Sequence, residues 1–249
     1  RGPTFTAVAK LIEVLLWGGD EAEARRVAKR AVNELRFWKD PMQRPTTLYR
    51  PELLAKPWWS FEDSPGLRAA ARHLSAGALG EALREEFVVV ERRRPGGWRH
   101  QPERIQEPGR GRWKEWKVKD ERGTPCRSTL FPVTCAALKA LGRWVEVLWA
   151  EFSVLEPGSH IRPHTGPTND RLTFHLCLST PPAVRIRVGE GAAEEYRNGS
   201  LLLLDDSFEH EVWHEGIFDR VVLLVQVSHP GTGPAVDAAV GTTAQEEDM

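Results

Sequence analysis

From Trp144 onward the apolar residues of this chain recur with a period of two, and that alternation limits the possible fold more than any other feature of the sequence. Residues 145–155 read as a strand pair or one bent strand. Further runs follow at 171–178, 183–188, 200–204 and 220–227, each set off by Gly, Pro, Asn or Asp. A period of two puts successive side chains on opposite faces of a sheet. Short strands at this spacing, with turn residues between them, read as an antiparallel sandwich or jelly roll. Residues 113–118 alternate as well and are expected to form the first strand of the sheet. Nearly all ligand-binding residues are expected between positions 150 and 230.

The chain ahead of the strands reads as helical support. Val8, Leu11, Ile12, Leu15 and Leu16 recur at helical spacing, and Gly18-Gly19 breaks the pattern. Asp20 then caps a second helix with Ala24, Val27, Ala28, Ala31 and Leu35 on one face. This hairpin, residues 1–38, resembles one repeat of a helical array and is read as a packing or interaction element. Residues 39–66 hold Pro41, Pro45, Pro51, Pro57, Trp58 and Trp59. Proline restricts itself and the residue before it, so this segment is an extended, ordered crossing with the tryptophans as packing anchors. Residues 65–87 return to helix, and a short helix is expected at 135–143, ended by Gly142. Residues 92–112, rich in Arg, Gly and Pro, read as a mobile loop whose length and position also suit a substrate-covering flap. The main domain is therefore 39–230, with its β core at about 113–230, and residues 231–249 read as a disordered tail.

Composition removes several function classes. Lys plus Arg number 34 and Asp plus Glu 35, so the formal charge of -1 argues against nucleic acid as a partner. No run of about 18 apolar residues is present, so the chain carries no transmembrane segment. It opens on Arg rather than Met, which reads as a fragment and leaves room for an upstream targeting or anchoring segment. Cys126, Cys135 and Cys177 lack the Cys-x-x-Cys spacing of a zinc site. They are read as free buried thiols, with a Cys126–Cys135 bridge left open for an oxidising compartment. Asn198-Gly199-Ser200 matches a glycosylation sequon in a turn, which is weak evidence on its own.

His164 and His210 each stand at a strand end beside polar turn residues. Non-haem Fe(II) oxygenases use two His and one carboxylate, with the acid normally two residues after the first His. Here that position is Gly166, so spacing alone leaves a metal site and a pair of structural histidines equally open. Arg220 opens the last apolar strand. A buried Arg requires a carboxylate partner, either an internal Asp or Glu or the distal carboxylate of a 2-oxo-acid co-substrate held bidentately. Ser153, on the strand leading to the site, is placed to donate to the same carboxylate. Asp205 and Asp206 suit hydrogen bonding around the metal better than ligation, and Glu209, Glu211 and Trp213 are expected to shape the mouth of the site.

His164-Thr165-Gly166-Pro167-Thr168-Asn169, with Arg171-Leu172 and His175-Leu176, resembles the first metal-ligand motif of the aspartyl/asparaginyl beta-hydroxylase family. Asp205-Asp206-Ser207-Phe208-Glu209-His210-Glu211-Val212-Trp213 resembles the second, and Arg220 and Val227-Ser228-His229-Pro230 continue the likeness. Pro157-Gly158-Ser159-His160 and the segment from Tyr49 to Trp59 extend it over about residues 40 to 230. The resemblance implies a mainly β fold, a double-stranded beta-helix of the jelly-roll or cupin-like kind, with N-terminal supporting helices. It implies an enzyme, a dioxygenase using Fe(II), O2 and 2-oxoglutarate, that hydroxylates the β carbon of Asp or Asn in a peptide or protein.

By the same likeness His164 and His210 are the metal ligands and catalytic pair, and the Gly166 position belongs to the family pattern. Ser153 and Arg220 match the residues that hold the far carboxylate of 2-oxoglutarate, and His175 matches a histidine lining the co-substrate site. One position departs. Where the family carries an Arg two residues before that histidine, this chain has Thr173, which supplies a hydroxyl and no charge. That departure keeps an alternative in view: a catalytically weak or inactive 2-oxoglutarate- or peptide-binding protein on the same scaffold. Compartment divides likewise: animal relatives work in the lumen of the endoplasmic reticulum and bacterial ones in the cytoplasm.

Overall fold

The computed structural model describes residues 4–100, 105–120 and 123–232. Strands β1 (Arg99–His100), β2 (Trp113–Lys119), β3 (Val147–Leu155), β5 (Arg171–Ser179), β8 (Leu201–Leu204) and β10 (Arg220–Ser228) form a six-stranded sheet in the order β1-β2-β3-β10-β5-β8. Strands β4 (His160–His164), β6 (Val184–Val188), β7 (Glu194–Glu195) and β9 (His210–His214) form a second sheet, ordered β4-β9-β6-β7. Every pairing between these strands is antiparallel. In the core of the sheets the neighbours are distant in sequence, β3 with β10, β10 with β5, β5 with β8, β4 with β9 and β9 with β6, which is the connectivity of a double-stranded beta-helix.

Alternation along β10 explains why the large sheet has two different faces. Val221, Leu223, Val225 and Val227 join the core beneath the helices, while Val222 and Leu224 face the space between the sheets. By the same period Arg220 and Gln226 share that inner side. Helices α3 (Pro65–Leu74), α4 (Gly77–Arg93) and α5 (Pro132–Leu141) cover the outer face, setting Leu67, Leu74, Leu83, Phe87 and Leu141 against Phe152, Phe174 and Leu223. Each such side chain, fully buried, contributes about 1.5–3 kcal/mol. Ser64 starts α3 by accepting from the Leu67 amide at 3.1 Å, ahead of Pro65.

Helices α1 (Phe5–Trp17) and α2 (Glu21–Asn33) form a hairpin with a small core of its own, Val8, Ile12, Ala24, Ala28, Ala31 and Trp38. Trp17 ties it to the small sheet by donating to the Pro163 carbonyl at 2.9 Å. The segment between hairpin and α3 straps across both sheets. It makes single bridges Gln43–Phe208, Leu48–Thr168 and Trp58–Leu204, and the Trp59 amide bonds the Leu203 carbonyl at 3.0 Å. These contacts close the free edge of β8 and brace the turns on either side of the histidines.

Several expectations need correction. Cys126 and Cys135 are joined in a disulfide rather than free, their Cα atoms 5.8 Å apart, and only Cys177 among the described cysteines is a buried free thiol. Leu11 lies outside the hairpin core, because the buried stripe of α1 runs through Val8, Ala9 and Ile12 and is too narrow to include it. The helix read at 65–87 is two, broken at Ser75-Ala76, and α4 runs on to Arg93. What was read as loop from residue 92 therefore begins later and contains β1, so β2 is not the first strand. Residues 101–104 of that loop and 233–249 of the tail lie outside the described residues. No described helix is long and apolar enough to cross a membrane.

Candidate functional site

The edge strand β4 of the small sheet and its neighbour β9 bring His164 and His210 together. His164 ends β4, His210 begins β9, and the two are register partners with ring centroids 4.1 Å apart. Each ring is fixed by its own strand. Nδ1 of His164 bonds the Arg162 carbonyl at 2.8 Å, and Nδ1 of His210 bonds the Phe208 carbonyl at 2.9 Å. A carbonyl accepts only, so both Nδ1 atoms carry a proton, and the lone pair of the neutral ring falls on Nε2. Burial, and then the neighbouring His210, hold the His164 imidazole well below its usual range, which keeps it neutral. Two imidazoles, each oriented by a carbonyl at Nδ1 so that Nε2 is left for a ligand, are a suitable donor pair for a first-row divalent metal. Among the described residues no cluster of three or more His, Cys, Asp or Glu forms here.

Gly166 accounts for the missing acid. A Cβ placed there would lie 2.5 Å from Oδ1 of Asp206 and 2.7 Å from its Cγ, so the Asp206 carboxylate already fills the space a side chain would need. Asp206 is held by Gln226, whose Nε2 donates to Oδ2 at 3.0 Å, and by Arg171 at 3.6 Å. Its Oδ1 is buried without a protein partner. Asp205 points elsewhere. Its carboxylate accepts from the Ser207 amide and hydroxyl and from Gln43, fastening the turn before β9.

Between the sheets, Arg220 is fully buried and meets no carboxylate among the described residues. Its Nη2 donates to Ser153 Oγ at 2.8 Å, its Cζ lies 5.2 Å from the centre of the Tyr196 ring, and its Nε is buried without a partner. Ser153 also accepts from Trp113 Nε1 at 2.9 Å. A hydroxyl that accepts two N–H bonds has its own proton free to donate elsewhere. A buried, unpaired guanidinium beside a free hydroxyl proton fits a carboxylate ligand. His175, two rows along the inner face of β5 from Thr173, bonds Tyr196 through Nδ1 at 3.0 Å. Burial first, then the charge of Arg220, keeps this histidine well below its usual range and neutral.

Thr173 pairs in register with Gln226 and Leu204, and its hydroxyl is buried without a partner. Arg171 shares its side of β5 but is drawn toward Asp206. A cavity of about 590 Å³ opens at this end, lined by Trp149, Thr168, Arg171 and Gln226. A larger one, about 760 Å³, lies on the opposite side of the small sheet under the helical hairpin and away from the two Nε2 atoms. Glu209, Glu211 and Trp213, expected at the mouth, instead face that outer side. Glu209 pairs with Arg44 and Arg187, Glu211 with Arg187 and His160, and Trp213 stacks on His160. The reason is alternation: with Val212 turned inward, the residues beside it must turn out.

Tyr196 and Trp113 were not anticipated as site residues. Trp113 was visible only as a strand position, and Tyr196 sits in the polar stretch Glu194-Glu195-Tyr196-Arg197-Asn198, which reads as loop. A buried-size aromatic inside such a stretch was the available signal.

The model of the family described as aspartyl/asparaginyl beta-hydroxylase matches residues 80–230. The mouse protein "Aspartyl/asparaginyl beta-hydroxylase" is 31% identical over 188 residues, covering 73% of this chain and 24% of its own length. "Ornithine lipid ester-linked acyl 2-hydroxylase" of Rhizobium tropici is 39% identical over 89 residues, covering 34% of this chain and 31% of its own length. A solved Pseudomonas putida prolyl-4-hydroxylase overlays with a TM-score of 0.43 at 15% identity, covering 63% of this chain and 89% of that one. The chain thus spans about a quarter to a third of the length of these two curated relatives. With the family model covering more than half of its residues, the chain belongs to the aspartyl/asparaginyl beta-hydroxylase family.

Proposed function

We propose that this chain is an Fe(II)- and 2-oxoglutarate-dependent dioxygenase that hydroxylates the β carbon of Asp or Asn residues in a peptide or protein. The observation that carries the reading is Arg220: a buried guanidinium with one hydroxyl and one aromatic face for company, in the same interior as the paired histidines. His164 and His210 would hold the metal through their Nε2 atoms. The bound ion supplies O2 activation, coupling the conversion of 2-oxoglutarate to succinate and CO2 with transfer of one oxygen atom to a substrate C–H bond. The chain's own residues bind and orient. Arg220 and the free proton of Ser153 hold the far carboxylate, which makes the co-substrate complete a charge pair the fold leaves open. His175 stays neutral and lines the co-substrate pocket. The apolar wall of Leu155, Ile161, Val184, Val212 and Val222 excludes water from the interior. The Cys126–Cys135 bridge supports placing the chain in an oxidising compartment.

The test is anaerobic titration with Fe(II) and 2-oxoglutarate, following the visible charge-transfer band. His164→Ala, His210→Ala and Arg220→Ala are run beside the parent. A band in the parent that each variant loses supports the site. O2-dependent succinate release with Asp and Asn peptides then tests the substrate, with an ornithine-lipid arm included because one relative is named for acyl hydroxylation. One observation favours a second reading: Thr173 removes a charge from the near end of the pocket, and its hydroxyl has no partner. Metal and 2-oxoglutarate binding without turnover of any substrate would favour a binding protein on this scaffold.

A further inference from the structure

We propose that Tyr196 is a positioning residue of the co-substrate pocket: its hydroxyl fixes the tautomer of His175 and its ring seats the Arg220 guanidinium. The inference rests on the functional reading above and extends it to a residue outside both metal-ligand motifs.

Tyr196 is rigidly placed. It follows β7 directly, its amide donates to the Val184 carbonyl at 2.9 Å, and the chain then turns back through Gly199 at φ 77° into β8. Only 1% of its surface is exposed. Its ring lies nearly parallel to that of His175, 15° apart in plane with centroids at 6.0 Å, and its hydroxyl is 3.0 Å from His175 Nδ1. On its other side the Arg220 Cζ lies 5.2 Å from the ring centre. One side chain therefore touches both of the groups assigned to 2-oxoglutarate on the inner faces of β5 and β10.

The hydrogen bond has two possible directions, and burial chooses between them. If Nδ1–H donated to the phenol oxygen, the phenol proton would be left without an acceptor in a sealed site, which buried tyrosines avoid. If the phenol donates to Nδ1, both groups are satisfied and the imidazole proton sits on Nε2. Burial raises the phenol far above its usual range, so its proton is retained, and it holds the imidazole neutral, as the second arrangement needs. Among the described residues Nε2 makes no hydrogen bond, and it is left as an N–H donor for a ligand oxygen. Without the tyrosine hydroxyl, no group among the described residues bonds the His175 ring to select that tautomer. The ring contributes separately: a cation over an aromatic face is held in place when both are desolvated.

Histidine-selective 15N labelling and NMR of the whole protein read the tautomer directly, with the His175 signals assigned by their loss in His175→Asn. In parallel, 2-oxoglutarate is titrated calorimetrically into the Zn(II)-loaded protein. The parent should show His175 protonated at Nε2. Tyr196→Phe should lose that signature and bind 2-oxoglutarate about five- to tenfold more weakly, as expected for one lost hydrogen bond, with Zn(II) affinity unchanged. Tyr196→Leu, which also removes the aromatic face, should lose about a further five- to thirtyfold. Parent-like binding by Tyr196→Phe would overturn the proposal, as would weaker binding with the tautomer unchanged. A parent that binds no 2-oxoglutarate would instead overturn the functional reading itself, and with it the pocket Tyr196 is said to serve.

Discussion

Replacing Arg220 by Met should make the protein more stable without 2-oxoglutarate, and 2-oxoglutarate should narrow or reverse that advantage. Arg220 is 2% exposed and faces no carboxylate among the described residues. Taking a guanidinium out of water costs several kcal/mol even after relaxation. The Ser153 hydrogen bond returns about 1.5–3 kcal/mol and the Tyr196 face about 2 kcal/mol, with Nε still unpaired. A net deficit of about 1–3 kcal/mol remains, in line with what apolar replacement of buried ionic groups recovers. For a chain of this size each kcal/mol shifts Tm by about 2–4 °C, so Arg220→Met should melt about 2–12 °C above the parent when both carry Zn(II) alone. With 2-oxoglutarate at a hundred times its Kd, the parent gains about 2.7 kcal/mol and the variant nothing, which narrows or reverses the order. Scanning calorimetry of both proteins with and without 2-oxoglutarate reads all four values. A variant that melts below the parent without ligand would mean Arg220 is paired structurally. A variant that 2-oxoglutarate still stabilises would mean the co-substrate binds elsewhere, and either result refutes the reasoning.

Three further outcomes follow from particular contacts. Gly166→Ala should weaken Zn(II) binding and lower stability by about 1–3 kcal/mol, because its Cβ collides with the Asp206 carboxylate; Gly166→Ala with Asp206→Ala should recover most of the stability in denaturant titrations. Reducing the Cys126–Cys135 bridge, or replacing both residues by Ser, should cost about 2–3 kcal/mol for so short a loop, read as a fall in Tm under reducing conditions. Burial, opposed by Ser207 and reinforced by Asp206, raises the Asp205 carboxyl to about 7. A folded pKa above the unfolded value means stability is fullest below about pH 4 and declines as pH rises through about 7. Asp205→Asn should therefore melt above the parent at pH 8 and level with it near pH 4, and a gap that widens toward acid would contradict this.

The long strands were legible because each buries an apolar face on both sides of the sheet. Arg171–Ser179 and Arg220–Ser228 show continuous or alternating hydrophobicity that nothing else in the chain imitates. The strands that carry the histidines were harder to see. β4 buries only Ile161 and β9 only Val212 and His214, since their outer faces serve a charged network rather than a core. The same one-residue alternation misplaced Glu209 and Glu211, whose chemistry suggested a ligand mouth but whose parity turns them toward Arg44 and Arg187. Helix limits depended on caps the pattern does not announce, such as the break at Ser75. His164, His210, Ser153, His175 and Arg220 are proposed as site residues through motif likeness. Tyr196 and Trp113 are not, because each acts on a side chain brought near only by folding.

The pocket these residues form is electrically lopsided, and that has consequences for how a dicarboxylate can sit in it. At its deep end lies the charge of Arg220, which no carboxylate among the described residues pairs. Toward the mouth lie groups without net charge, the neutral His175 and the Thr173 hydroxyl, and then Asp206 with Arg171 already turned to it. On the proposed function, orientation would be decided before the metal contributes: one carboxylate would go to Arg220, because the near end offers it no opposite charge among the described residues. The near carboxylate depends on the bound ion and on two neutral donors, so co-substrate affinity should collapse without metal rather than merely weaken. A protein carrying Arg at position 173 would retain part of that affinity from its own charge. Comparing 2-oxoglutarate binding by the parent and by Thr173→Arg, each with and without Zn(II), separates the two cases. Metal-independent binding gained only by the variant would show that Thr173 makes this site rely on its ion.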